Sequence, residues 1–197
     1  MHLSKLFYQP MWAEEMVVVS DNQLTQAEKF CLGESHSSKG RVYSNNGGWQ
    51  SEDYSYKDLV NTPLQTVLDS ILEKLNECMT ELGSSSPIEF ETIWININKK
   101  NNSNFIHTHS GVLSGSFYVT VPDQSATIFF TREYDMEQWF YGSIGSQHNT
   151  EASSARIHIG PIDKLLVVFP SWMPHGVNPN PSDKDRISIS FNTQLKI

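Results

Sequence analysis

From Ile88 onward the chain is a succession of short runs with strand character. They are Ile88–Asn98, Ser116–Val121, Ala126–Thr131, Arg156–Ile159, Lys164–Phe169 and Arg186–Thr193, separated by Gly, Pro, Asn and Ser. β-branched and aromatic residues fit a half-buried pleated surface, and short strands parted by turn residues predict a β-sandwich or jelly roll. Upstream the period changes. Thr25-Gln26-Ala27-Glu28 reads as a capping box and predicts a short helix to about Leu32, stopped by Gly33. Pro63 to Leu82 is the strongest helical stretch: Thr62 is a cap, Gln65 completes a capping box and Gly83 follows the end. Leu64, Val67, Leu68, Ile71, Leu72, Leu75, Met79 and Leu82 fall on one stripe, whose expected use is to cover a sheet. Leu6–Tyr8 and Met16–Val19 read as short opening strands. Residues 34–55 read as a long loop, and the aromatic insertion 132–155 as an irregular segment suited to a lid. The expected architecture is mainly β (α+β), a jelly roll with N-terminal helices packed on one sheet. It forms a single domain over 1–197, with a helical buttress at about 1–85 and the β core at about 86–197.

A chain of 197 residues suits one domain with one core. Its net charge of −8 argues against broad binding to nucleic acid or anionic membrane, which rests on basic patches. A local basic site for one small dianion stays compatible with that charge. No apolar run reaches membrane-spanning length, and Met1–Pro10 carries no apolar leader core, so a cytoplasmic protein is expected. Cys31 and Cys78 lie in helix-like stretches outside any CxxC pair and read as reduced, buried thiols.

The chemistry concentrates in four residues. His107 and His109 stand one residue apart, and strands place residues i and i+2 on one face, so both imidazoles can aim at one metal. His175, in Pro174-His175-Gly176, follows the apolar run Leu165–Phe169 and can complete a three-point face. Neutral imidazole suits Fe, Zn, Cu and Ni. A structural zinc site takes four ligands, often with Cys, whereas three ligands and no nearby Cys leave positions open for substrate. The plainer reading of each histidine is a hydrogen-bonded polar group. Arg186 comes eleven positions after His175, across the polar turn Asn178–Asp185, which predicts an antiparallel return beside the His175 strand. Its guanidinium presents a fork that matches a carboxylate, although a solvated strand-end arginine is the commoner case. Ser188 and Ser190 share its parity, and Ile187, Ile189 and Phe191 take the other face. A polar row inside the barrel fits an acid-binding interior, and a row facing water would remove the arginine from the site. Asn96, uneasy in a dry core, is a pocket candidate, while Trp94 and Trp172 suit either pocket or core. His2, His36, His148 and His158 read as surface residues. Asp123, Glu133 and Asp135 are fallback ligands, more naturally solvated.

Five segments together resemble a known family. They are Trp94-Ile95-Asn96-Ile97-Asn98, His107-Thr108-His109-Ser110-Gly111, Ser114–Val119, Phe169–Val177 and Arg186–Asn192. The chain is similar, over about residues 90 to 193, to iron(II)/2-oxoglutarate-dependent oxygenases found in bacteria and marine phages. The resemblance implies a double-stranded β-helix and a C–H hydroxylase of unknown substrate using Fe(II), 2-oxoglutarate and O2. It implies His107 and His175 as iron ligands, with Arg186 on the distal carboxylate of 2-oxoglutarate. It places Tyr118 at an aromatic position that assists that carboxylate, though a core tyrosine is an equal reading. Ser188 and Asn96 are then cosubstrate-pocket candidates, and Trp94, Trp172 and Asn192 are weaker substrate-pocket candidates. The substrate is a small molecule or a protein side chain, the setting a bacterial or phage-infected cytoplasm, and a homodimer is open to it. The chain departs from the wider superfamily at His109, which stands where His-x-Asp or His-x-Glu places a carboxylate. Two rivals follow: a three-histidine cupin-type dioxygenase without 2-oxoglutarate, and a non-catalytic jelly-roll binding protein.

Overall fold

A computed structural model describes residues 9–132, 143 and 154–196 of the protein. In chain order its elements are β1 (Trp12–Glu15), α1 (Asp21–Ser37), β2 (Asn45–Asn46), β3 (Trp49–Gln50), α2 (Gln65–Glu81), β4 (Ile88–Asn98), β5 (Ser103–His107), β6 (Leu113–Thr120), β7 (Ile128–Thr131), β8 (Arg156–Ile159), β9 (Leu165–Pro170), β10 (His175–Val177) and β11 (Arg186–Leu195). Among the described residues they form two antiparallel sheets, ordered β1-β9-β6-β11-β4-β3 and β2-β5-β10-β7-β8. The expected double-stranded β-helix with helices on one sheet is what forms.

Strand alternation divides the larger sheet into two unlike faces. Ile93, Ile95, Ile97, Phe117, Val119, Leu166, Val168, Ile187, Ile189 and Phe191 pack with Ala27 and Cys31 of α1 and with Val67, Leu68, Ile71 and Leu75 of α2. Full burial of each such aliphatic side chain contributes roughly 1.5–3 kcal/mol. The other face carries Tyr118, Val167 and Phe169, which pack on Ile128 and Phe130 of the smaller sheet. That face also buries Asn96, Asn98, Ser114, Ser116, Arg186 and Ser188. A register shift makes the division possible. Asn192 pairs with Thr92 but Thr193 pairs with Phe90, so Glu91 is the extra residue of a β-bulge. The bulge lets Phe90 face the helices while Trp94, Asn96 and Asn98 face inward.

Several expectations need correction. The first helix runs from Asp21 to Ser37, through Gly33, rather than from Thr25 to Leu32. Its capping box is Ser20 with Gln23, whereas the Thr25 hydroxyl donates to the Asp21 carbonyl inside the helix. An interior Gly costs about 1 kcal/mol against Ala, which the packed face of Ala27 and Cys31 outweighs. Met16–Val19 is a turn, closed by the Val19 N–H on the Met16 carbonyl, and Val17 and Val18 point outward. Leu82 leaves the stripe and is exposed, because α2 ends at Glu81 and Gly83 turns away at φ +78°. Residues 34–55 are more ordered than a loop. Gly47 (φ +74°) and Gly48 (φ +75°) make a hairpin turn whose arms join different sheets, β2 to β5 and β3 to β4. The strands expected to carry the histidines are short and rich in polar residues: β5 holds His107 but ends before His109, and β10 is only His175–Val177. Finally, β11 does not return beside β10: it lies between β6 and β4, and β10 lies between β5 and β7 in the facing sheet. The turn crosses between sheets because buried Asn180 holds it, its side-chain amide donating to the Asn98 and Lys184 carbonyls. Leu6–Tyr8 and most of 132–155, with its expected lid, lie outside the described residues.

Candidate metal centre

His107 ends β5 and His175 begins β10, and the two are direct cross-strand partners. Their ring centroids are 4.4 Å apart. His109 lies two residues past the end of β5, so it joins them by a turn rather than by strand alternation. Its N–H donates to the Ser171 carbonyl at 2.8 Å, which draws the segment back toward β10. Its ring then lies 4.8 Å from His107 and 5.0 Å from His175. One ligand atom from each imidazole falls within 4.8 Å of the others.

Two of the rings are locked. His107 Nδ1 lies 2.7 Å from the Phe105 carbonyl, and His175 Nδ1 lies 2.9 Å from the Met173 carbonyl. A carbonyl can only accept, so each Nδ1 carries the proton and each Nε2 presents a lone pair. Burial holds the imidazoles neutral. It pushes His175 down to about 3 and His109 to about 4, helped in each by the nearby His107, and lowers His107 as well. Three neutral imidazoles that bring one ring nitrogen each within 4.8 Å of the others suit a divalent cation.

Next to the triad opens an inner cavity of about 50 Å³ lined by Asn96, Ser116, Tyr118, Arg186, Ser188 and Phe169, among others. Arg186 is 2% exposed. Its Nη1 donates to Asn98 Oδ1 at 2.9 Å and its guanidinium carbon lies 4.8 Å from the Tyr118 ring centroid. Arg186 Nε and the Tyr118 hydroxyl are both buried without a partner. Among the described residues no carboxylate pairs with Arg186. A buried cation without a counter-ion is costly, and so is each orphaned donor. A small carboxylate in the cavity relieves all three at once.

The remaining candidates divide. Asn96 lines the cavity, its amide donating to Ser190 Oγ at 3.1 Å. Trp94 and His109 line both this cavity and a neighbouring outer pocket, and Asn192 lines only the outer one. Trp172 lines neither and is 56% exposed; the turn after β9 buries Met173 in its place. His158 bonds Thr127 and Asn178 away from the triad, and His36 and Asp123 are exposed. His2, Glu133, Asp135 and His148 lie outside the described residues. Asn98, which steadies Arg186, was not singled out in the sequence; its parity with Asn96 in Asn96-Ile97-Asn98 was the available signal.

Gly111 shapes the chain just after His109. It takes φ +98°, and a Cβ there would lie 2.4 Å from the Thr193 carbonyl oxygen. Gly111→Ala is therefore expected to cost at least about 2 kcal/mol, a fall of roughly 4–8 °C in Tm by thermal melt.

A family model described as "Putative 2OG-Fe(II) oxygenase" matches residues 92–192. No curated protein matches the chain. Among solved structures it is similar to a Pseudomonas putida prolyl-4-hydroxylase, at 11% identity and a TM-score of 0.66, covering 96% of this chain and 94% of that one. It is similar to the viral collagen prolyl hydroxylase of Paramecium Bursaria Chlorella virus-1, in its 2OG complex, at 11% identity and a TM-score of 0.61, covering 94% and 96%. It is also similar to HygX from Streptomyces hygroscopicus with nickel and 2-oxoglutarate bound, at 7% identity and a TM-score of 0.63, covering 96% and 84%. At these identities the structures share the fold with this chain.

Proposed function

The chain belongs to the 2OG-Fe(II) oxygenase family, an enzyme family that uses iron(II), 2-oxoglutarate and dioxygen, and on that premise we propose where each is handled. His107, His109 and His175 hold the iron, and Arg186 holds the distal carboxylate of 2-oxoglutarate. The observation that carries this reading is Arg186: a buried guanidinium with no carboxylate partner among the described residues, in a cavity that begins at three neutral imidazoles. Iron with bound 2-oxoglutarate supplies the activation of dioxygen, coupled to oxidation of the cosubstrate to succinate and carbon dioxide. The chain's own residues bind, orient and exclude water. Asn98 Oδ1 fixes one arm of the guanidinium, so its fork is set before the carboxylate arrives. The Tyr118 hydroxyl is a second donor to that carboxylate, and Asn96, Ser116 and Ser188 line the path between it and the histidines. Phe169, Ile128 and Trp94 close the apolar sides and keep water from the reacting centre. Hydroxylation of a C–H bond, on a substrate entering from the side of Trp94 and His109, is the reaction that this layout supports.

The reading extends to setting. One catalytic unit spanning the chain is supported by β1, from the N-terminal part, pairing with β9. A cytoplasmic location is supported by two free, buried cysteines, Cys31 and Cys78. No described helix is long and apolar enough to cross a membrane.

Aerobic incubation with iron(II) and 2-oxoglutarate tests the proposal. Succinate should accumulate slowly without added substrate, and should not when zinc replaces iron; accumulation indifferent to the metal would reject the site. His109 favours the second reading, a three-histidine dioxygenase that needs no cosubstrate, which oxygen uptake without 2-oxoglutarate would reveal. Within the first reading His109 is the least constrained ligand, because among the described residues no hydrogen bond locks its ring as the other two are locked. His109→Ala is expected to weaken iron(II) binding by more than the roughly 10–100-fold that loss of a ligand's outer partner costs. His109→Asp should restore it, since a carboxylate offsets the metal's charge; equilibrium metal titration reads both.

A further inference from the structure

The outer pocket, about 250 Å³, is larger than the inner cavity and meets it at Trp94 and His109. Its far wall comes from the segment that bridges the two sheets. There Arg41 forks onto both Asp53 carboxylate oxygens, so that cation is already spent. Two acceptors there have no protein donor among the described residues. Glu91, displaced outward by the bulge in β4, makes no ion pair among the described residues. Gln50 is 3% exposed, and its Oε1 is buried without a partner. Arg41 Nε is a buried donor there without a partner among the described residues. With one guanidinium against two carboxylates the pocket is net negative, on a protein that carries −8 overall.

From this we infer that the outer pocket takes the primary substrate, and that the substrate carries a protonated amine or guanidinium beside a hydroxyl or carbonyl oxygen. The inference rests on the proposed iron site, whose His109 forms the shared wall. The cation pairs with Glu91 and one of its N–H groups donates to Gln50 Oε1, while the neighbouring oxygen accepts from Arg41 Nε. A carboxylate-bearing substrate would meet Glu91 with like charge, and a neutral polyol would leave it unpaired. The same chemistry is offered by a free amine and by a Lys or Arg side chain of a peptide.

The test uses the full chain loaded with zinc and 2-oxoglutarate, so that nothing turns over. Arginine amide, lysine amide and a short lysine-containing peptide are titrated calorimetrically, beside glutamate and glucose. A cationic probe should bind, and Glu91→Gln should weaken it about tenfold, the size of one charge-assisted hydrogen bond. Glu89→Gln, which removes the same charge outside the pocket, should not weaken it. Tighter binding of the free amines or of the peptide identifies the source. Equal binding of glucose or glutamate, no binding by any cationic probe, or indifference to Glu91→Gln would overturn the inference. Loading with 2-oxoglutarate is measured first, so a failure of the cosubstrate site shows there. Amine binding to the metal-free chain then still decides the outer pocket.

Discussion

His175→Ala is expected to lower iron(II) affinity by well over 100-fold and to reduce succinate formation to background. His175 is the most buried of the three imidazoles, its Nδ1 is committed to the Met173 carbonyl, and its ring sits 4.4 Å from His107 and 4.5 Å from Phe169. Loss of an outer partner of a metal ligand already costs about 10–100-fold, and this substitution removes a ligand itself. The truncation also opens a small void beside Phe169, so a modest loss of stability accompanies it. His175→Gln separates the effects by keeping the volume filled without restoring the imidazole. Comparable melts with iron binding lost in both would place the effect in the metal site.

Arg186→Ala should act on the cosubstrate rather than on the metal. Removing one partner of a buried charge pair costs about 2–5 kcal/mol, so 2-oxoglutarate affinity should fall at least about 30-fold while iron(II) binding stays near wild type. Arg186→Lys should recover only part of the loss, because an ammonium keeps the charge without the fork. Stability should move the other way. Arg186 is buried with no carboxylate partner among the described residues, so Arg186→Met should raise the melting temperature of the apoprotein even as it removes cosubstrate binding. Saturating 2-oxoglutarate should stabilise the wild type and leave that variant unmoved. Melts with and without 2-oxoglutarate check both signs.

What could be read in the sequence followed strand periodicity. Arg186, Ser188 and Ser190 against Ile187, Ile189 and Phe191 is a two-residue alternation, and it sorts these side chains onto the two faces of β11. Asn96 and Asn98 obey the same rule on β4. What could not be read depended on contacts distant in sequence. The pairing of His107 with His175 is set by β10 joining β5, two strands too short and too polar to stand out. His109 reaches the triad through a turn held by the Ser171 carbonyl, which alternation does not describe. The crossing between sheets before β11 depends on Asn180, buried among backbone carbonyls, and polar loop residues are ordinarily taken as solvated. Trp172 misled for the opposite reason: a large aromatic in an apolar stretch is usually buried, but here the turn turns it out. The Arg41, Gln50 and Glu91 pocket escaped notice because its parts come from a hairpin and a bulge, neither of which has a repeating period.

We propose that one site binds iron through these histidines and 2-oxoglutarate through Arg186. Anaerobic titration of the iron(II)-loaded protein with 2-oxoglutarate, followed by visible absorption, tests it most directly. A metal-to-ligand charge-transfer band should grow to saturation at one equivalent, vanish in His175→Ala, and require far more 2-oxoglutarate in Arg186→Ala. Folded, iron-loaded protein that shows no band at saturating 2-oxoglutarate would contradict the account.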